Sequence, residues 1–507
     1  MSAVQECLAP ATTVSPNRRR TVISSRELGR GAMLNTVAML SSNFRSIFIL
    51  LIARFLGAVS LGIFSVAWAT ADLVSKLGVW GLDDATTALV ARAEAAGEFQ
   101  RSRALFQASL IVAIGLSLLV ALLFMAGAQR FGQSLGMNAQ LVTALSVIVW
   151  ALPGIALYRV SNAVSRGMKV MKHDIFSRGI TESAATTVAF LAAIGLGLTT
   201  LAPEFAAIAG TGASGIVASI FAIGLFRHLP GPAASTLGET KRLLAYTWPI
   251  GMDQFLNACI WRLDVIILGC FVGHAPGVTL TSLGIYCAVV GLANGLRKVS
   301  QPFTPIFAPV VAGMTANGEH HEAASTYARL LGWMLWILLP FVAVIVLAGP
   351  AVLLLFGPGF EQGSQWLSIV AIACATNAFV NLGETVIMVQ RPGLNLLNSL
   401  VTAVTGSIAT LLLIAKLGVI GAAFGILITY VVQGIGRAII LRFVFMWPNP
   451  VRKLRPVLIS TVVAFVPAAV CRLQWDGVAG GVIAAVVCLV LFGAGALFFR
   501  RPESQLG

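Results

Sequence analysis

The chain has 507 residues, of which 58% are hydrophobic and 10% charged, with a mean hydropathy of +0.90 and a formal net charge of +15. No water-soluble fold buries so large an apolar fraction, so the composition excludes one and points to a bilayer. The seven cysteines have no CxxC spacing, which excludes a disulfide framework or a metal site as the organising feature, and no cofactor is expected.

Residues 1–30 form a polar tail, too hydrophilic to be the apolar segment of a signal peptide. Stretches of the roughly 20 residues needed to cross hydrocarbon then follow at 31–56, 61–80, 105–126, 141–162, 175–198 and 203–226. A polar linker at 227–243 leads to a second set at 244–272, 281–303, 327–348, 364–388, 394–414 and 418–441, and two more spans, 455–471 and 477–499, end the chain. The expected fold is therefore an all-α polytopic membrane protein of about 14 transmembrane helices.

Lys and Arg are retained on the cytoplasmic side during insertion. Placing both termini inside assigns most of the 34 basic residues to inner segments and leaves only Arg130, Lys416 and Arg472 outside. This asymmetry accounts for the basic balance without nucleic acid, for which the scattered arginines lack aromatic interleaving.

The chain reads as built twice. Ser60-Leu61-Gly62-Ile63-Phe64 returns as Ser282-Leu283-Gly284-Ile285-Tyr286, with Lys76 and Lys298 following at the same spacing, and Ala91, Ala95, Gly97 and Glu98 match Ala312, Ala316, Gly318 and Glu319. Residues 31–226 and 244–441 thus form two six-helix lobes. Six spans is an even number, so both lobes enter the membrane in one direction as a parallel repeat, and the helices within 455–499 are an addition.

The Arg-bearing first span resembles that of the polysaccharide transport family, which includes Wzx-type flippases and belongs to the multidrug/oligosaccharidyl-lipid/polysaccharide (MOP) exporter superfamily. So do the turns Phe55-Leu56-Gly57 and Phe271-Val272-Gly273, which lead into Leu-Gly-Ile-Phe or Leu-Gly-Ile-Tyr, and the stretch Phe356-Gly357-Pro358-Gly359-Phe360 before the tenth span. The resemblance covers most of the chain from about residue 30. It implies two lobes around a central cavity, alternating access, and export of undecaprenyl-diphosphate-linked sugars across a bacterial inner membrane. It also implies a polysaccharide polymerase and glycosyltransferases as partners.

A charge deep in hydrocarbon costs several kcal/mol, so it is normally turned toward a partner or a wet cavity. On the second span Ser65, Trp68, Asp72 and Lys76 share a helical face, as do Asp253, Asn257, Trp261 and Asp264 on the seventh. Arg45 lies mid-way along the first span. Arg262 stands two positions from Asp264, a spacing at which helical side chains do not meet, and needs another partner. Arg45, Lys76, Arg262, Arg297 and Lys298 are the candidate cationic set for a diphosphate, with snorkelling to headgroups as the alternative for Arg297 and Lys298 and the favoured reading for Arg54, Arg159 and Arg437. Trp68 and Trp261 either stack on sugars or pack.

The carboxylates Asp72, Glu182, Asp253, Asp264 and Glu384 either balance these cations, as an Asp72–Lys76 pair would, or serve as H⁺ or Na⁺ coupling sites. Gly210-Thr211-Gly212-Ala213-Ser214-Gly215 satisfies GxGxxG but lies inside an apolar span with no preceding strand, so it reads as helix packing. The function expected is a lipid-linked oligosaccharide flippase. The alternatives are a multidrug and toxin extruder, whose cavity would be acidic, and a polytopic glycan polymerase, which would need a large outer loop. No nucleophile or metal set is present to support an enzyme.

Overall fold

The computed structural model describes residues 44–134, 136–227, 236–301, 303–448, 451–475 and 477–499. The polar tail, the side chain of Arg45 and residues 228–235 of the inter-lobe linker lie outside the described residues. Helices dominate: α1 Phe44–Val79, α2 Leu82–Ala95, α3 Phe99–Ser134, α4 Ala139–Ile148, α5 Ala151–Gly167, α6 Glu182–Gly195 and α7 Ala202–Phe226 in the first half. The second half has α8 Thr236–Cys270, α9 Leu280–Arg297, α10 Thr304–Ala316, α11 His320–Leu347, α12 Ser364–Gln390, α13 Pro392–Leu417 and α14 Val419–Ile439. The added pair is α15 Val451–Gln474 and α16 Gly477–Phe499.

Eleven helical stretches among the described residues are long and apolar enough to cross a membrane, against fourteen expected. The difference has local causes. Residues 31–43 of the first expected span lie outside the described residues, and its remainder runs on into the second as α1, counted once, which breaks at Gly57 (φ 78°, ψ −175°), a backbone conformation open only to glycine. The expected fifth span is divided between a seven-residue π-helical stretch, Ile175–Thr181, and the short α6. The expected seventh lies within α8, whose apolar run is interrupted by Asp253, Arg262 and Asp264.

The helices run back and forth between two faces. At one face, a Cβ on Gly136 would touch His274, one on Gly418 would meet the Pro276 carbonyl, and Arg54 donates to the carbonyl oxygens of Leu355 (2.8 Å) and Leu354 (3.3 Å). The opposite, basic face gathers Arg92, Arg101, Arg242 and Lys453, with Arg101 paired to Glu239 at 3.1 Å.

The two halves meet where α1 packs on α8 and α9, helped by α2 and α3 against α8. The repeated Ser-Leu-Gly sets one crossing. Ser282 closes a reciprocal cap at the start of α9, its backbone N–H donating to Thr279 Oγ1 (3.1 Å) while its own Oγ accepts from the Thr279 N–H (2.8 Å). Two residues later Gly284 lets α1 approach, and small residues of this kind are what bring membrane helices together. The discounted glycine run behaves likewise, since a Cβ on Gly210 would overlap Thr186 of α6.

Candidate functional site

α1 and α8 form an antiparallel pair along the seam. Val66 lies against Gly269, Asp72 against Arg262 and Gly81 against Gly251, so contacts climb one helix as they descend the other. In the middle of this pair Arg262 Nε donates to Asp72 Oδ2 at 2.9 Å. The partner that the spacing demanded for Arg262 is thus a carboxylate of the other half. Asp72 also faces Arg159 at 3.5 Å, and Arg159 reaches Asp83 at 3.9 Å. The expected Asp72–Lys76 pair does not form: among the described residues Lys76 makes no ion pair within 4.0 Å, because Arg262 and Arg159 occupy the carboxylate.

Arg159 and Arg437 correct the snorkelling reading. Arg159 is turned inward onto two aspartates, and Arg437, 1% exposed, pairs with Glu384 and donates to the Val380 carbonyl. Arg54 reaches the loop carbonyls of the opposite half instead of headgroups.

Arg297 lies in the second half with neutral partners. Its Nε donates to Asn377 Oδ1 (3.2 Å) and its Nη1 to Asn294 Oδ1 (3.0 Å), while Asn377 in turn donates to Gln433 Oε1 (2.9 Å). The guanidinium stacks over Trp261 at 4.5 Å and stands 5.6 Å from the Tyr430 ring. Snorkelling is excluded for this residue by these inward contacts. Trp261 is 44% exposed, so one face supports Arg297 and part of the ring remains open. Lys298 follows in the short 3₁₀ turn Lys298–Ser300.

Trp68 is only 8% exposed and stacks on Phe64 at 6.2 Å, inside the first half. It therefore presents no open ring to a sugar. Glu182 is buried beside it, around a small cavity lined by Phe48, Phe64, Trp68 and Thr186.

The carboxylates divide into two sets. Asp72 and Glu384 neutralise arginines. Asp264 instead accepts from the Tyr286 hydroxyl (3.0 Å), and Asp253 accepts from Asn257 (3.2 Å) and Asn395 (3.5 Å).

Sequence reasoning missed the contact at the basic end of the seam. There Trp80 and Trp248 approach to 5.4 Å, and Gln254 Nε2 bridges Asp83 Oδ1 (3.2 Å) and Asp84 Oδ2 (2.7 Å). These two aspartates lie beyond the apolar spans. Burial together with the Asp83 carboxylate pushes Asp84 above the usual carboxylate range, whereas at Asp83 the opposing burial is outweighed by Arg159 and Lys76, which hold it down. The available signal was the pair Asp83-Asp84, one residue after Trp80-Gly81. Asn294, three positions before Arg297 on the same helix, was equally readable.

Solved structures share this architecture. The chain superposes on the lipid II flippase MurJ in an inward closed conformation with a TM-score of 0.69 at 12% identity, covering 93% of this chain and 100% of that one. An inward-facing multidrug resistance MATE family transporter of the MOP superfamily gives 0.64 at 15% identity, over 81% and 94%. A MOP superfamily transporter from Pyrococcus furiosus, described as having a binding pocket of reverse polarity, gives 0.56 at 16%, over 83% and 95%. No curated protein matches by sequence. The fold is that of the MOP superfamily transporters, and the chain is a multi-pass membrane protein. Residues 28–311, more than half of the 507, match the model of one family, and the chain belongs to it: the polysaccharide biosynthesis protein family.

Proposed function

We propose that this protein is a flippase that carries an undecaprenyl-diphosphate-linked oligosaccharide from the cytoplasmic to the outer leaflet of a bacterial inner membrane by alternating access, with both termini in the cytoplasm. The observation that carries this reading is Arg297. Its donors meet only amide oxygens and its face rests on Trp261, and among the described residues it makes no ion pair, so its charge is left for an anion. A diphosphate takes such a planar fork through short, charge-assisted hydrogen bonds. Lys76 on the first half supplies a second cation, and Arg262 a third once the seam parts and releases it from Asp72. Arg45 and Lys298 extend the set by their sequence positions. The lipid tail would remain in the bilayer while the glycan passes between the lobes, and a polymerase and glycosyltransferases would act on either side of the transfer.

The contacts support one mechanism. Parting α1 and α2 from α8 at the basic face breaks the Gln254 bridge and frees the basic groups for cargo from that side, while the glycine crossing at the other face remains shut. The opposite state reverses the two.

The test is reconstitution of the full chain in proteoliposomes with a fluorescent lipid-linked oligosaccharide on the inner leaflet. Transfer that is lost in Arg297→Ala is expected. Export of cationic drugs instead, with no movement of the lipid-linked sugar, would overturn the reading.

A further inference from the structure

A cleft of about 480 Å³ lies away from the seam, where α11, α12 and α14 meet the added helix α15. Its volume is within the roughly 300–1,000 Å³ typical of small-ligand sites. The walls are apolar, including Leu331, Phe379, Ile435 and Leu454. Its polar side chains are Tyr327, Arg437, Arg442 and Trp447, and no carboxylate is among the lining residues.

Two further observations point to a ligand. Arg437 and Trp447 are 1% and 4% exposed, and among the described residues the Nε of the first and the Nε1 of the second have no hydrogen-bond partner, although buried donors are ordinarily satisfied. The wall that carries Arg442 is the π-helical stretch Ile440–Val444, and such irregular turns mark functional sites more often than regular helix does. Arg442 itself is exposed and among the described residues donates one bond, to the Trp447 carbonyl at 3.3 Å, which leaves most of its fork open to them.

We infer that this cleft holds an anionic phospholipid of the bilayer, one acyl chain among the apolar walls and the phosphate on Arg442. A donor-rich, carboxylate-free pocket between helix ends, on the face where the basic residues gather, has the charge and the amphipathic shape for that ligand. The buried Arg437 and Trp447 donors would then have ester or phosphate oxygens within a small side-chain adjustment. The site is separate from Arg297 and Asp72, and its occupancy does not require that the chain transport lipid-linked sugar.

Full-length protein in detergent is incubated with phosphatidylglycerol, phosphatidylcholine or a polyprenyl phosphate, and retained lipid is counted by native mass spectrometry. Phosphatidylglycerol should be retained at least about tenfold over phosphatidylcholine, a difference equivalent to about 1.4 kcal/mol. That preference should be lost in Arg442→Gln. Ala438→Trp, at an exposed position that fills the cleft, should abolish retention while leaving the thermal midpoint of the lipid-free protein unchanged. Equal retention of the zwitterionic lipid, or unaltered phosphatidylglycerol retention in both variants, would overturn the proposal. So would preferential retention of the polyprenyl phosphate, which would assign the cleft to the tail of a cargo lipid.

Discussion

Gly62 and Gly284, equivalent residues of the internal repeat, face one another across the seam: a Cβ on Gly62 would stand 2.8 Å from the Gly284 nitrogen, and one on Gly284 only 1.7 Å from the Ala58 carbonyl oxygen. Residues that match in sequence thus meet in space.

This crossing tolerates no side chain, because the clash is with backbone. Gly284→Ala should hold this end of the seam apart. The native Cys287, 5% exposed, then reports the opening. Its labelling by an impermeant maleimide should accelerate about tenfold, corresponding to about 1.4 kcal/mol, with transport lost. Unchanged labelling in a well-inserted variant would mean that the crossing is not a gate.

The Asp72–Arg262 pair distinguishes a strut from a cargo site. Its side chains are 22% and 31% exposed, so removing one partner should cost about 1.5–3 kcal/mol, the range for a hydrogen bond to a charged group and below the cost for a fully buried pair. Asp72→Asn should lower the thermal midpoint, because Arg262 and Arg159 are left facing each other. The double variant Asp72→Asn/Arg262→Gln should regain the midpoint but not transport. Regained transport would reduce Arg262 to a structural role.

Arg297 should respond to changes that preserve charge. Lysine offers a point charge, loses the bonds to Asn377 and Asn294, and stacks less well on Trp261. Arg297→Lys is therefore expected to weaken binding of a lipid-linked diphosphate by tenfold or more at an unchanged thermal midpoint. Trp261→Phe should fall between wild type and Trp261→Leu, since the cation–π contact contributes about 0.5–2 kcal/mol. Equal binding in all three would remove both residues from the site.

The architecture was legible in the sequence because its signals are long. Apolar spans each extend over many residues, and the repeated Ser-Leu-Gly, though short, ends at Gly284, where α1 packs closely on α9. Partners were less legible. Arg262 visibly lacked a neighbour on its own helix, but Asp72 lies 190 positions away, and only packing could choose it over Lys76 as that aspartate's partner. Arg159 and Arg437 lie near span ends in sequence, where snorkelling is cheap, yet the fold turns both onto carboxylates. Trp68 shares a helical face with Asp72, but a face more than one side chain wide can be polar at one edge and packed at the other.

Asp84 predicts a pH effect at the basic end of the seam. With its carboxyl pushed up by burial and by Asp83, the closed contact favours the neutral form. The contact should therefore tighten as pH falls through that raised value and loosen as pH rises. A cysteine placed at Thr247, 1% exposed, should be labelled more slowly on the acid side of the transition. Asp84→Asn keeps an acceptor for Gln254 and should make labelling independent of pH in this window. A transition that persists in the variant would assign it to another group.

The last expectation concerns the driving force. A doubly charged diphosphate leaving a negative interior gains about 2.3 kcal/mol per charge per 100 mV, roughly 4–5 kcal/mol if the full charge crosses. Asp72 and Glu384 are committed to arginines, which leaves the potential as the simpler engine for a cationic seam. Export of lipid-linked sugar from proteoliposomes should then follow the membrane potential more steeply than a pH gradient. Asp253 and Asp264 supply the opposing case, since their neutral partners leave them able to take a proton or a cation without stranding an arginine. Export that survives collapse of the potential, runs on a proton gradient, and is lost in Asp264→Asn at normal protein levels would make a carboxylate the coupling site. Export that fails with the potential but tolerates Asp253→Asn and Asp264→Asn would leave the charge of the cargo as the driving element.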